Sequence, residues 1–200
     1  MPRICVYCGS STGNHDDYSA NARDLAQVLV RHGYELVYGG AARGIMGVVA
    51  DAVLALGGKV HGVIPTLLLD KEIAHRGLTE LHVVNSMHER KSVMASLSDG
   101  FIALPGGFGT LEELIEILTW AQLRLHDKPC GVINVRGYFD HLLAFLDHAV
   151  AEGLLRPENR RRLLCATEAA TLLDQFEQFM QSGEQQAQGA SRRRAQILRK

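Results

Sequence analysis

Short apolar runs alternate along the chain with stretches in which apolar residues recur every three or four positions. The runs Arg3–Tyr7, Glu35–Tyr38, Lys59–Ile64, Leu81–Val84, Phe101–Leu104 and Gly131–Val135 predict strands. Several are nearly continuous in apolar residues, the pattern of parallel strands covered on both faces. The periodic stretches predict helices over Tyr18–His32, Gly44–Leu56, Met87–Ser98, Leu111–Leu125 and Tyr138–Glu152, with a last short strand at Leu163–Ala166 and a last helix at Glu168–Met180. Such alternation predicts an α/β fold: an open, doubly wound, mainly parallel sheet flanked by helices. Ligands of these sheets sit beyond the carboxyl ends of the strands, so the loops after the strands are the place to look for chemistry. One domain is expected over residues 1–181. From Gln181 the chain loses its apolar stripe and becomes rich in Gln, Ser, Gly and Arg, which predicts a disordered tail over 182–200.

Composition narrows the function classes. Apolar content of 46% and charged content of 22% are those of a globular chain, and a net charge of −1 gives no support to a nucleic-acid or anionic-membrane partner. Apolar runs are too short for a membrane span, and the first residues lead directly into a strand-like run rather than a secretory leader. A cytoplasmic location is expected. Cys5 and Cys8 form a C-x-x-C pair, yet Cys130 and Cys165 make no second pair and no histidines stand at ligand spacing, so no metal site is expected. Strand alternation points positions 5 and 8 to opposite faces, which reads as buried thiols in a reducing compartment.

Three strand ends carry small-residue turns: "CGSSTG" (Cys8–Gly13, with Ser10), "GGAARGIMG" (Gly39–Gly47, with Gly40) and "PGGFGT" (Pro105–Thr110). Glycine lets a ligand approach the main chain, and a following helix presents N–H groups and partial positive charge to an anion. Three such turns on one sheet edge point to a phosphate-bearing ligand. The dinucleotide pattern G-x-G-x-x-G fails at Ala41, and the P-loop pattern fails at Ile45 and Met46 where Lys and Ser/Thr are required. A nucleotide-like monophosphate held by backbone remains.

Behind the third turn, Thr110 and Glu113 have the T-x-x-E spacing of a capping box. Spacing alone leaves that role and a functional role for Glu113 equally open. On the preceding helix, Arg90 falls on the face of Met87, Met94 and Leu97, where a guanidinium must snorkel, pair or bind an anion. The neighbouring His88 reads as a surface residue.

"MHERK" (Met87–Lys91) followed by "PGGFGTLEE" (Pro105–Glu113) resembles the paired M-H-x-R-K and P-G-G-x-G-T-x-x-E signatures of the LOG ("lonely guy") family, and "YGGAARGIMG" resembles that family's G-G-G-x-x-G-L-M-G turn with Ala41 in place of Gly. The likeness runs from about Ile4 to Leu173. Members are cytokinin riboside 5′-monophosphate phosphoribohydrolases, often labelled lysine decarboxylases, with a Rossmann-like fold and a homodimeric assembly. The resemblance implies Arg90 and Glu113 as the catalytic pair. It implies a substrate site lined by Glu72, Lys91, Gly107, Phe108, Gly109, Thr110, Leu111, Glu112 and Thr119. It calls for no cofactor.

The implied reaction hydrolyses the N-glycosidic bond of a purine nucleoside 5′-monophosphate, releasing an adenine-type base and ribose 5-phosphate. Positive charge develops on the ribose during cleavage, so a carboxylate beside a phosphate cradle has a purpose. The roles of Arg90 (anchoring phosphate, holding Glu113, polarising the leaving base) stay open at this point, as do AMP and N6-prenylated AMP as substrates. The rival readings are a non-catalytic nucleotide or cofactor carrier on the same scaffold, an NAD(P) oxidoreductase disfavoured by Ala41, and a pyridoxal-phosphate decarboxylase, for which Lys91 is the lone lysine in a suspect region. Phe108, Met94 and Trp120 are the candidate contacts to a purine.

Overall fold

A computed structural model of the protein describes residues 1–69 and 74–182. Seven strands form one sheet: β1 (Arg3–Tyr7), β2 (Glu35–Tyr38), β3 (Val60–Pro65), β4 (Glu80–Val84), β5 (Gly100–Ala103), β6 (Cys130–Ile133) and β7 (Leu163–Ala166). Every pairing is parallel, and the spatial order is β4-β3-β2-β1-β5-β6-β7. Strands β1, β2, β3 and β5 are apolar and buried nearly throughout because helices cover both faces.

The helices are α1 (Asp16–Arg31), α2 (Gly44–Ala55), α3 (Met87–Leu97), α4 (Phe108–Gln122), α5 (Asp140–Ala151), α6 (Pro157–Arg160) and α7, helical from 169 to the end of the described residues at 182. Helices α1, α2 and α7 pack on one face through Leu25, Leu29, Val49, Val53, Leu172 and Phe176. Helices α3, α4 and α5 cover the other through Met94, Leu114, Ile117 and Leu143. Helix α1 shows why such segments are helical: buried Ala22, Leu25, Ala26 and Leu29 form one stripe, Asp16 and Asp17 occupy its first turn and Arg31 its last, matching the helix dipole. Strand order reverses direction between β1 and β5, and the crevice beyond their carboxyl ends is where such sheets bind ligands. The two connecting loops touch there, where the Gly9 N–H donates to the Pro105 carbonyl (3.1 Å).

The thiols follow the alternation: Cys5 packs into the α3–α4 face and Cys8 into the α1–α2 face, and all four cysteines are free. Among the described residues no helix is long and apolar enough to cross a membrane. The tail expected beyond Gln181 lies almost wholly outside the described residues, as does Glu72.

One element departs from its expected bounds in a way that matters. Helix α4 starts at Phe108, capped by the extended backbone of Gly107, and it ends at Gln122 because Arg124 turns into the left-handed region (φ 61°). Thr110 is therefore the third residue of the helix, buried, and not its cap. Glu113 lies a turn further on, at the sixth position of the helix, so Thr110 and Glu113 do not form a capping box. The capping arrangement occurs instead on α3. There the Ser86 hydroxyl accepts from the Glu89 N–H (3.1 Å) and the Glu89 carboxylate accepts from the Asn85 N–H (2.8 Å).

Candidate active site

A cleft of about 290 Å³ opens beyond the carboxyl ends of β1, β2 and β5. Tyr7 and Cys8 line it from the end of β1, Ser10 from the loop that follows, Gly39 from the end of β2 and Met46 from α2. Helix α3 contributes Met87 and Arg90. The start of α4 contributes Gly107, Phe108, Gly109, Thr110, Glu112 and Glu113. A second hollow of about 290 Å³ adjoins it, sharing Gly9, Ser10 and Gly107 and walled by Tyr18 and Tyr138. The Tyr138 hydroxyl donates to the Gly106 carbonyl (2.6 Å) and so braces the third glycine turn.

Arg90 does not snorkel. Its side chain is buried, 5% exposed as a residue, and the guanidinium reaches across the strand ends. Nε donates to the Val63 carbonyl (3.0 Å) and Nη2 to the Gly39 carbonyl (2.7 Å), while Nη1 lies 3.9 Å from the Met87 sulfur. These bonds replace the hydration a buried cation loses. They also account for Gly39: a Cβ there would collide with Nη2.

The three glycines of the third turn divide into two kinds. A side chain on Gly106 would strike Thr110 and the Gly9 amide nitrogen, so its smallness serves packing. Side chains on Gly107 and Gly109 would meet nothing within 4 Å. Packing does not require glycine at either position, and both border the open cleft. The N–H groups of Phe108, Gly109 and Thr110 precede the first intrahelical bond of α4, which runs from the Leu111 N–H to the Gly107 carbonyl. Together they form an anion-receptive end.

The second glycine turn behaves differently from the expectation of a phosphate cradle. The Ile45 and Met46 N–H groups at the start of α2 donate to the carbonyls of Ser11 and Gly9 (3.4 and 3.3 Å), so the first loop already occupies that helix end. Gly40 packs under Leu81 and Ile64 and is not among the cleft's lining residues. Ala41 is buried and bridges to Ala74, away from the cleft.

Lys91 is also absent from the cleft lining. Its ammonium pairs with Glu112 (2.6 Å) and Glu116 (3.0 Å), tying α3 to α4 behind the rim. Burial works to lower its pKa, but the two carboxylates win and the net shift is upward. Leu111 and Thr119 lie on the outer side of α4 with Ile115 and Trp120, and the Thr119 hydroxyl donates to the Ile115 carbonyl (2.7 Å). Of the candidate purine contacts, Met94 is core, Trp120 is on that outer side, and Phe108 stands at the cleft mouth with 95% of its surface exposed. His88 is exposed.

Glu113 is partly buried and lines the cleft. Burial first, and then the Glu113 carboxylate, push the Cys8 thiol well above its ordinary range, which makes Cys8 a neutral wall rather than a nucleophile. The cleft thus holds a carboxylate and a guanidinium from two helices, with a dipole-bearing helix end at its rim.

A protein-family model described as "Possible lysine decarboxylase" matches residues 46–176. The chain is 51% identical over 177 residues to an Arabidopsis thaliana protein named cytokinin riboside 5′-monophosphate phosphoribohydrolase LOG5, covering 88% of this chain and 78% of that one. This chain belongs to the LOG family. A second LOG protein of Arabidopsis thaliana, LOG1, bears the same enzyme name and is 47% identical over 195 residues, covering 98% of this chain and 92% of its own length. Among solved structures, the molybdenum cofactor carrier protein of Chlamydomonas reinhardtii superposes with a TM-score of 0.68 over 91% of this chain and 99% of its own, at 20% identity, a likeness of Rossmann-like fold alone.

Tyr7, Cys8, Gly39 and Met46 did not stand out individually in the sequence. The signal for the first three was positional, since each sits on or next to the carboxyl end of β1 or β2, while Met46 lies in the first turn of α2.

Proposed function

We propose that this chain hydrolyses the N-glycosidic bond of adenosine 5′-monophosphate and its N6-substituted forms, releasing the adenine-type base and ribose 5-phosphate. The observation that carries the reading is that Glu113 and Arg90 line one cleft whose rim is the N-terminus of α4. In this mechanism the N–H groups of Phe108, Gly109 and Thr110 hold the phosphate, and Gly107 and Gly109 admit it to the main chain. Glu113 faces the ribose. Its negative charge stabilises the oxocarbenium-like transition state, and it orients or deprotonates the attacking water. Arg90, held by two carbonyls, is a fixed cation that positions Glu113 or the phosphate. Ser10 borders both hollows and Glu112 the rim.

The chain acts as a homodimer in this reading. The outer side of α4 supports it: Ile115, Leu123 and Leu125 are 40%, 61% and 68% exposed, and they adjoin Phe108, an apolar patch continuous with the cleft mouth. Residues Leu111 and Thr119 then lie at the subunit boundary. Four free thiols and a near-neutral charge are compatible with a cytoplasmic enzyme. A Schiff-base decarboxylase needs a lysine that gives up its proton readily, and Lys91 is pushed the other way by Glu112 and Glu116.

The test is incubation of purified protein with AMP and isopentenyl-AMP while free base and ribose 5-phosphate are measured. Glu113→Gln, which keeps the side chain's size, is expected to lower kcat by about 10²–10³-fold or more with a much smaller effect on the melting temperature. Tight AMP binding with no product from the wild-type protein would favour a carrier, and no release from either nucleotide by folded protein would remove the proposal.

A further inference from the structure

Near the amino ends of β3 and β4, away from the cleft, His61, Glu80 and His82 bring three ligand atoms within 4.8 Å of one another. The strands dictate this. His61 and Glu80 are register partners, and His82 stands two residues beyond Glu80, on the same side of the edge strand β4. One Glu80 oxygen, Oε2, lies 3.2 Å from His61 Nδ1 and 3.4 Å from His82 Nε2.

The hydrogen-bond inventory makes this cluster unusual. Glu35 is buried and pairs with Arg3 (2.9 Å) and Lys59 (3.2 Å), so it is an acceptor-only carboxylate. It lies 2.8 Å from His61 Nε2, which must therefore carry the proton and donate to it. His61 Nδ1 then faces the Glu80 carboxylate at 3.2 Å, a position that either a second ring proton or a metal ion can satisfy. His82 Nε2 is buried, aimed at the same oxygen, and makes no hydrogen bond. Two ring nitrogens thus converge on one carboxylate oxygen, and one of them, His82 Nε2, has no hydrogen bond to satisfy it.

We propose that His61 Nδ1, Glu80 and His82 Nε2 bind a divalent transition-metal ion of the zinc class. Ligands about 2.0–2.2 Å from a tetrahedral zinc lie roughly 3.3–3.5 Å apart; the two distances from Glu80 Oε2, 3.2 and 3.4 Å, are of that size, and the two ring nitrogens lie within 4.8 Å of each other. Glu35 behind His61 is the carboxylate that fixes tautomer and ring orientation in metal-ligating histidines. The exposed side of Glu80 leaves room for water as a fourth ligand. The ion is structural: it fastens the edge strand β4 to β3 and takes no part in the chemistry of the cleft.

The experiment uses the full chain without a purification tag, freed of metal with a chelator and titrated with ZnCl₂ by calorimetry, with CoCl₂ as an optical probe. One equivalent per chain, a raised melting temperature and the visible bands of four-coordinate cobalt are expected. His82→Ala and Glu80→Gln, both at partly exposed positions, each weaken zinc binding by about tenfold or more and leave AMP turnover unchanged. The proposal is overturned if the wild-type protein binds no zinc. It also fails if the combined His82→Ala/Glu80→Gln variant binds as much, or if nitrogen NMR of protein in the presence of zinc finds both imidazoles doubly protonated, filling the gap with protons.

Discussion

Replacing Gly44 by alanine isolates what the second glycine turn does. Gly44 opens α2 with φ 60°, a conformation that costs an L-residue about 1–2 kcal/mol. The added methyl would lie closer than 3.0 Å to the backbone of both Ser10 and Ser11, which cannot rotate away as a flexible side chain would. Pushing that loop back resembles overpacking a core, about 1–3 kcal/mol. It also stretches the bonds from the Ile45 and Met46 N–H groups to Ser11 and Gly9, at about 1 kcal/mol each. Lower entropy of the unfolded alanine chain returns about 0.4–1 kcal/mol. The net expectation is a loss of about 5 kcal/mol, comparable with the roughly 5–15 kcal/mol that stabilises a domain. Urea unfolding followed by circular dichroism and by Trp120 fluorescence measures it. Gly107→Ala is the matched control: its methyl meets nothing, so stability should change by about 0.5 kcal/mol or less, while KM for AMP rises because the methyl enters the cleft. A Gly44→Ala loss below about 1 kcal/mol, with the slope against urea unchanged, would refute the claim that this glycine is fixed by loop packing.

Ser86→Ala should destabilise the protein by about 1 kcal/mol, the usual value of a side-chain cap, read as a shift in the urea midpoint. If the wild-type protein has the mass of the proposed dimer in light scattering, Leu123→Glu combined with Leu125→Glu should reduce it to that of a monomer; a wild-type monomer would remove the dimer, and a dimer unchanged by the two substitutions would remove the α4 face as the contact. With a thiol reagent at pH 8, Cys5, Cys8 and Cys130 should stay silent until denaturant is added, because burial pushes all three thiols up, Cys130 to about 12. Half-buried Cys165 should react slowly, and rapid reaction of more than one thiol in native protein would contradict the packing.

Most of the fold was legible because a doubly wound sheet writes itself in alternating runs. Strands such as Arg3–Tyr7 and Leu163–Ala166 end where the apolar run ends. What periodicity misjudged was α4. Its apolar stripe continues through Leu125, but the backbone leaves the helix at Gln122 with Arg124 left-handed, and its start lies on glycines that no apolar pattern marks. Of the candidate site, Arg90 was conspicuous in the sequence as a guanidinium among methionines, while the spacing of Glu113 left its role open. The partition of glycines was not legible. Gly39 makes room for Arg90, Gly106 for Thr110 and Gly44 for the Ser10–Ser11 backbone, and these contacts join residues distant in sequence. Likewise Glu80-x-His82 on a strand marks a shared side, but only the pairing with His61 brings a third ligand to it.

The fit between Gly39 and Arg90 couples the two positions genetically. Any larger residue at 39 would evict the guanidinium, so its penalty is expected to be severe while arginine is present and mild once a small residue has replaced it. Mutational histories through this pair are consequently ordered: a lineage must surrender the cation before it can fill the space, and recovering the cation requires emptying that space again.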